Sequence, residues 1–167
     1  MGIEVLEEKY QKFAAACPQH LATLREIALQ VSLIQRDMRR LFDDITPVLC
    51  VVCKAPCCQC MPVEGWFTES DYFLYRMRYA APFSLLVAHA DGRSCRFLGA
   101  AGCVLPDDMR PFPCVKVNCR AVSVELEARG RMKTFQVLNN KLEELQDTVY
   151  PLLGDIISVT VLQAQSP

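Results

Sequence analysis

Nine of the ten cysteines of this chain fall between residues 50 and 119, and this clustering constrains the fold more than any other feature. The first group reads Cys50-Val-Val-Cys53-Lys-Ala-Pro-Cys57-Cys58-Gln-Cys60, and the second consists of Cys95, Cys103, Cys114 and Cys119. Thiols at such short spacings are better suited to oxidation or to binding a soft metal than to filling an apolar core. We therefore predict that these cysteines hold a metal.

Charge and hydropathy limit the partners and the cellular compartment that we expect for this chain. The formal net charge is −1 and neither half carries a basic run, so we expect no binding to nucleic acid or to an anionic membrane. The first residues alternate charged and apolar groups, unlike a secretory signal, and no run approaches the roughly 18 apolar residues of a membrane span. We expect a cytoplasmic protein, in which thiols stay reduced and clustered cysteines act as ligands more often than as disulfides.

Helical patterns flank the cysteine-rich middle. In the first third, apolar residues recur at alternating steps of three and four, as on the buried face of a helix. This seam contains Ile3, Leu6, Tyr10, Phe13, Cys17, His20, Leu24, Ile27, Val31, Ile34, Met38, Leu41 and Ile45. We interpret Cys17 and His20 as core positions of this seam. Pro18 removes a backbone donor and crowds the preceding turn, so we predict two helices, at roughly 3–16 and 19–45.

The last third repeats the pattern. Phe135, Leu138, Leu142, Leu145 and Val149 share one face of a predicted helix that Pro151 should end. Residues 122–129 fit either a helix or a short strand, and residues 156–161 are rich enough in β-branched side chains for an edge strand. Between the cysteine groups, Thr68 stands three residues before Asp71, which is typical of a helix start.

Together these patterns predict one mainly α domain. Its N- and C-terminal helices form a helical bundle around a loop-rich cysteine-cluster metal module. We divide the chain into an N-terminal helical arm at 1–46, the metal-binding module at 47–120, and a C-terminal helix and tail at 121–167. The apolar stripes of the arms would pack on helices of the same chain, on a second copy or on a protein partner.

The spacing of the first cysteine group indicates the kind of centre. Cys50-x-x-Cys53 is a usual zinc knuckle, which presents two thiolates from one turn. Cys57 and Cys58 are adjacent, however, and neighbouring side chains point apart, so that both cannot easily bind one ion. Either the pair serves two metal atoms or only one of the two is a ligand. An iron–sulfur cluster, in which each iron accepts one thiolate, or two zinc ions would relieve this constraint. Cys60 is a possible extra ligand.

The second group requires loops that return to a common centre, because the intervals between Cys95, Cys103, Cys114 and Cys119 are too long for a knuckle. Several thiolates leave a metal centre negatively charged, and cationic side chains next to the cysteines would offset that charge by hydrogen bonding to sulfur. Lys54, Arg96 and Arg110 are the candidates for this role. Arg110, held between Met109 and Pro111, is also the first choice for a structural contact.

The order of these motifs resembles a known family. Cys50-x-x-Cys53-x-x-x-Cys57-Cys58, Cys95-x-Phe97-Leu98, Cys103 and Arg110-Pro111-x-x-Cys114, ending at Cys119, are similar to the YkgJ-type zinc- or iron-chelating proteins. The resemblance covers about residues 50–119 and implies metal ligation by Cys50, Cys53, Cys57, Cys58, Cys95, Cys103, Cys114 and Cys119. Cys60, Leu105-Pro106 and the long helical arms depart from the family pattern.

Two functions remain open. Cys53-x-x-x-Cys57-x-x-Cys60 has the spacing of a radical S-adenosylmethionine motif, but the sequence after it is too short and too helical for the required barrel. The sequence favours a non-catalytic metal-binding protein with zinc or an iron–sulfur cluster, and with eight candidate ligands it favours the cluster. The alternative is a redox or cofactor-dependent protein that uses an iron–sulfur cluster to transfer electrons or to assist the modification of another protein.

Overall fold

The structure, a computed structural model, describes residues 3–50, 52–54, 68–82, 95, 97–99, 102–103, 105–116 and 119–163. These residues are mainly helical, which confirms the predicted fold class. The elements are α1 (Ile3–Ala16), α2 (Pro18–Arg40), α3 (Thr46–Leu49), α4 (Glu69–Arg78), β1 (Leu98–Gly99), β2 (Gly102–Cys103), a 3-10 turn (Asp107–Met109), α5 (Phe112–Lys116), α6 (Arg120–Ala128) and α7 (Met132–Gln163). The two short strands pair antiparallel, with Leu98 opposite Cys103.

The N-terminal arm breaks at the predicted place. Cys17 stands between α1 and α2, and Pro18 occupies the first turn of α2, where a missing backbone N–H costs nothing. The second helix ends at Arg40, earlier than the predicted residue 45, and tighter turns lead into α3. Pro47 fits the first turn of α3, where its missing N–H costs no hydrogen bond.

The central helix of the bundle is α2, which packs against α4, α7, the 3-10 turn and α1. Its predicted seam faces this core: Leu24 is fully buried and Cys17 is 7% exposed, while His20 is half-buried. Aromatic rings fill the space between α1 and α4, where the ring centroids of Phe13 and Phe73 lie 5.4 Å apart. A separate small cluster joins the turns between α2 and α3 to α6. This second cluster consists of Phe42, Ile45, Val122 and Leu126.

Helix α7 continues past the predicted stop. It runs through Pro151 to Gln163, so the predicted end at Pro151 is wrong, and residues 156–161 are helical rather than an edge strand. An internal proline costs a helix about 3 kcal/mol. Burial of Val149, with Leu152 and Leu153 packed against the same core, gives the helix the contacts to offset that cost. The seam from Phe135 to Val149 faces the core as predicted.

Two local signals define the remaining helices. Thr68 and Asp71 form the predicted capping box of α4. Residues 122–128 belong to α6 and Arg129 is its C-cap, so the alternative of a strand there is wrong. Gly130 then adopts a φ of 67°, which a glycine tolerates without strain, and Arg131 donates its N–H to the carbonyl of Leu126, so that α6 ends in a Schellman motif.

No helix in the described part of the chain is both long enough and apolar enough to cross a membrane.

Candidate metal centre

The structure describes six of the nine candidate cysteine ligands. Cys57, Cys58 and Cys60 lie outside the described residues, and so does Arg96. The tenth cysteine, Cys17, is buried in the helical core, as predicted.

Cys50 and Cys53 occupy one tight turn at the end of α3. The N–H of Cys50 donates to the carbonyl of Thr46 at 2.9 Å, and the N–H of Cys53 donates to the carbonyl of Cys50 at 3.3 Å. A hydrogen bond from residue i+3 back to residue i is typical of a β-turn, which folds the backbone so that both cysteines leave from one bend. Both residues are exposed. The turn therefore has the local geometry expected of a metal knuckle.

Cys119 stands at the other end of the module, as the residue that precedes the first turn of α6. Contacts at the opposite ends of α3 and α6 relate it to Cys50. Asp44, just before α3, forms ion pairs with Arg129 and Arg131, just after α6. The two short helices also contact each other, and Leu49 of α3 packs against the second cluster.

These contacts tie the start of α3 to the end of α6. Cys50 is the C-cap of α3 and Cys119 is the N-cap of α6, so both cysteines lie at the helix ends away from the ion pairs. Sixty-eight residues of sequence separate them. The N-terminus of α6 carries a partial positive charge, which would stabilise an anionic thiolate-metal centre there.

Cys114 lies on α5, a short helix held by its buried side. Phe112 and Val115 are 1% and 4% exposed, whereas Cys114 is exposed. The amide nitrogen of Gln35 donates to the carbonyl of Arg110 at 2.7 Å, and Lys116 pairs with Glu143 at 3.0 Å. The segment is therefore fastened to both α2 and α7, with the cysteine on its outer side.

Cys95 and Cys103 are half-buried and pack against the main core. Cys103 is on β2, and the flanking residues Phe97 and Leu105 are 3% and 4% exposed. The hairpin is thus anchored by its apolar neighbours. This anchoring fixes the backbone around both cysteines without requiring a metal.

Lys54 and Arg110, the described candidates for a cation beside the cysteines, differ in exposure and contacts. Lys54 is exposed. Arg110 forms an ion pair with Asp107 at 3.1 Å, and its backbone carbonyl accepts the bond from Gln35. Arg110 thus contacts other residues of the chain, and its expected role beside the cysteine thiolates stays a prediction. The Nε of Arg110 is buried and has no hydrogen-bond partner among the described residues.

A small cavity of about 30 Å³ lies beside Arg110, between α2, α4 and the 3-10 turn. Gln35, Asp71, Arg78 and Asp108 are polar residues that line it beside Arg110, together with apolar side chains such as Val31 and Leu74. Arg78 donates to the Asp108 carboxylate at 2.6 Å, and so ties α4 to the 3-10 turn. A cavity of this size has room for one or two water molecules.

The polar contacts around this cavity were not found by sequence reasoning. The pattern Thr68-x-x-Asp71 predicted only a helix start. Nothing in the local sequence indicates that Asp71 also accepts a hydrogen bond from Phe112, forty-one residues away. The same is true of Glu7, which accepts hydrogen bonds from Arg76 at 2.8 Å and from Tyr72 at 2.6 Å.

The donor chemistry fits a thiophilic metal, but the described residues do not complete a site. Among them, no group of three or more His, Cys, Asp or Glu side chains is placed to hold a metal ion. Tetrahedral zinc requires four ligands, and so does a cubic iron–sulfur cluster. Any complete centre that uses Cys50 and Cys53 would therefore need donors from outside the described residues, and Cys57, Cys58 and Cys60 are the nearest in sequence.

No family model, curated protein or solved structure matches this chain.

Proposed function

We propose that this chain is a metal-binding protein whose centre is built by thiolates from both cysteine groups. The supporting observation is the contact between α3 and α6, which joins the segments that carry Cys50 and Cys119. Both cysteines cap these helices and both are exposed, so burial in an apolar core does not account for them. The resemblance to zinc- or iron-chelating proteins points to the same chemistry.

The candidate ligands are the eight cysteines of the sequence pattern, with Cys60 as a possible addition. Their number and the adjacent pair Cys57-Cys58 favour an iron–sulfur cluster over zinc, because each iron of a cluster accepts one thiolate. Bound metal would supply folding free energy to the module and, in a cluster, a site for one electron. The proposal places the protein in a reducing compartment such as the cytoplasm, where thiolates remain available.

The test is elemental analysis and absorption spectroscopy of the protein purified without oxygen. The expected result is a brown protein with stoichiometric iron and sulfide and a visible absorption band. A colourless protein with stoichiometric zinc would keep the metal-binding function and exclude the cluster. A visible band that bleaches on reduction would support the alternative, an electron-transfer or protein-modifying role. A metal-free protein that also fails to take up iron or zinc would overturn the proposal.

Cysteine variants locate the centre. We expect Cys53→Ser and Cys119→Ser each to lower the metal content by more than about tenfold, because each removes a ligand that a serine hydroxyl does not replace. Cys17→Ala is the matched control, since it removes a cysteine that is buried in the helical core. Equal metal loss in Cys17→Ala and Cys119→Ser would mean that stability, and not ligation, controls the metal content.

Association through the helical arms is a separate proposal, supported by Leu29 and Leu33, which are 54% and 50% exposed one turn apart on α2. Sedimentation of the purified protein tests it. A monomer that stays a monomer at high concentration excludes self-association and leaves a different protein as the partner.

A further inference from the structure

Asp71 connects two segments that are distant in sequence. Its Oδ2 accepts the N–H of Thr68 at 2.9 Å and the hydroxyl of Thr68 at 2.6 Å, which completes the cap of α4. Its Oδ1 accepts the N–H of Phe112 at 3.0 Å, and this bond is buried. One carboxylate therefore holds both the start of α4 and the start of α5.

The cap alone does not require so buried a carboxylate. An acid in the first turn of a helix is favourable at the surface, where water hydrates its charge. Asp71 is only 8% exposed, and burial raises its pKa, although the hydrogen bonds from Thr68 and Phe112 oppose that rise. A carboxylate in this position is costly unless its hydrogen bonds are used. The bond to Phe112 is the one that capping does not explain.

The bond matters for Phe112 because of where that residue lies. Phe112 begins α5, and the first N–H groups of a helix have no acceptor within the helix. Asp71 supplies that acceptor from α4. Two residues further along the same helix is Cys114, one of the candidate ligands.

We infer that Asp71 is a positioning residue, which fixes the start of α5 so that Cys114 is presented before a metal binds. This inference rests on the proposed function. Asp71 would act through Phe112, without contacting the metal itself. Gln35 and Lys116 hold the same segment to α2 and α7, and Asp71 adds the contact to α4.

Amide hydrogen exchange of the unmodified protein provides the first test. The N–H of Phe112 should exchange slowly, although the amides at the start of an exposed short helix exchange quickly. Rapid exchange at Phe112 in a folded protein would overturn the inference. This measurement does not depend on whether any variant folds.

Three variants then separate positioning from capping. Asp71→Ala removes both functions of the side chain, and we expect Phe112 exchange to accelerate about 10- to 100-fold. Thr68→Ala is the matched control, because it removes the hydroxyl from the cap and leaves the bond between Asp71 and Phe112 in place. Asp71→Asn should retain slow exchange, since its amide oxygen still accepts from Phe112.

Metal release is the second measurement on the same three variants. Transfer of bound metal to a chelator should be about tenfold faster in Asp71→Ala, and close to the rate of the unmodified protein in Asp71→Asn and Thr68→Ala. Equal acceleration in Thr68→Ala and Asp71→Ala would mean that Asp71 acts only through the cap, and would overturn the inference. If the unmodified protein holds no metal, the proposed function fails, whereas Phe112 exchange still tests the contact with Asp71.

Discussion

The side chain of Leu24 in the N-terminal arm is fully buried among apolar neighbours, whereas Cys53 in the middle of the chain is exposed on a turn. The same contrast holds for the two regions. The arms bury a continuous seam along α1, α2 and α7, so their stability comes from removing apolar surface from water. The described part of the first cysteine group, residues 50 and 52–54, contributes no buried residue.

Under the proposed function, one short chain would combine two sources of stability. Packing stabilises the helical core. Among the described residues, the cysteine turn follows a short helix that packs against the second cluster through Leu49. Metal binding would add a further constraint, because the free energy of binding to several ligands becomes folding free energy.

Metal removal should separate the two regions most clearly. A structural site of this kind contributes on the order of 10 kcal/mol, so a chelator should make trypsin cleavage after Lys54 at least roughly tenfold faster. Most of the helical circular dichroism should remain, since the arms do not use the metal. Cleavage after Arg36, which is exposed on α2, is the control. If both sites became equally sensitive, the arms would depend on the metal and the comparison would fail.

A large-to-small change in the core should have the next largest effect. Leu24→Ala removes a fully buried side chain and should lower the free energy of unfolding by about 2–5 kcal/mol. Leu33→Ala is the same change on the same helix at a position that is 50% exposed, and it should cost less than about 0.5 kcal/mol. Urea unfolding measures both. Similar losses in the two variants would mean that α2 does not face the core as described.

The smallest effect is expected from the ion pair between α1 and α4. Partial burial raises the pKa of Glu7, but hydrogen bonds from Arg76, Tyr72 and Gln11 outweigh that effect and hold the pKa below its ordinary value. An acid with a lowered pKa stabilises the fold above its ordinary pKa, and this contribution is lost as the pH falls through the lowered value. Glu7→Gln should therefore cost about 1–3 kcal/mol at pH 7, and the difference from the unmodified protein should shrink below about pH 4.5.

Urea midpoints measured between pH 7 and pH 3 test this pH dependence. Glu8→Gln is the control, since Glu8 is exposed and pairs only with Lys12 at the surface among the described contacts. A constant difference between Glu7→Gln and the unmodified protein at every pH would show that the charge of Glu7 does not contribute.

Local periodicity accounts for the parts of the fold that sequence predicted correctly. The break at Pro18, the buried seam of α2 and the capping box at Thr68 each depend on residues within one or two turns of each other. Proline was misleading at Pro151, because the local rule predicts a stop while packing of Val149 and its neighbours continues the helix. The prediction of a knuckle at Cys50 and Cys53 was equally local, because it depends only on the spacing of these two residues.

What the sequence determined by itself is the helical character of the arms and the chemistry available to the middle, because both follow from residue type and short-range spacing. The tertiary structure decided which distant groups meet. Asp44, before α3, forms an ion pair with Arg129, after α6, and the fold places the Asp71 carboxylate against the N–H of Phe112. The physical reason is that such contacts depend on how whole helices pack, and no local pattern records the partner of a side chain on another helix.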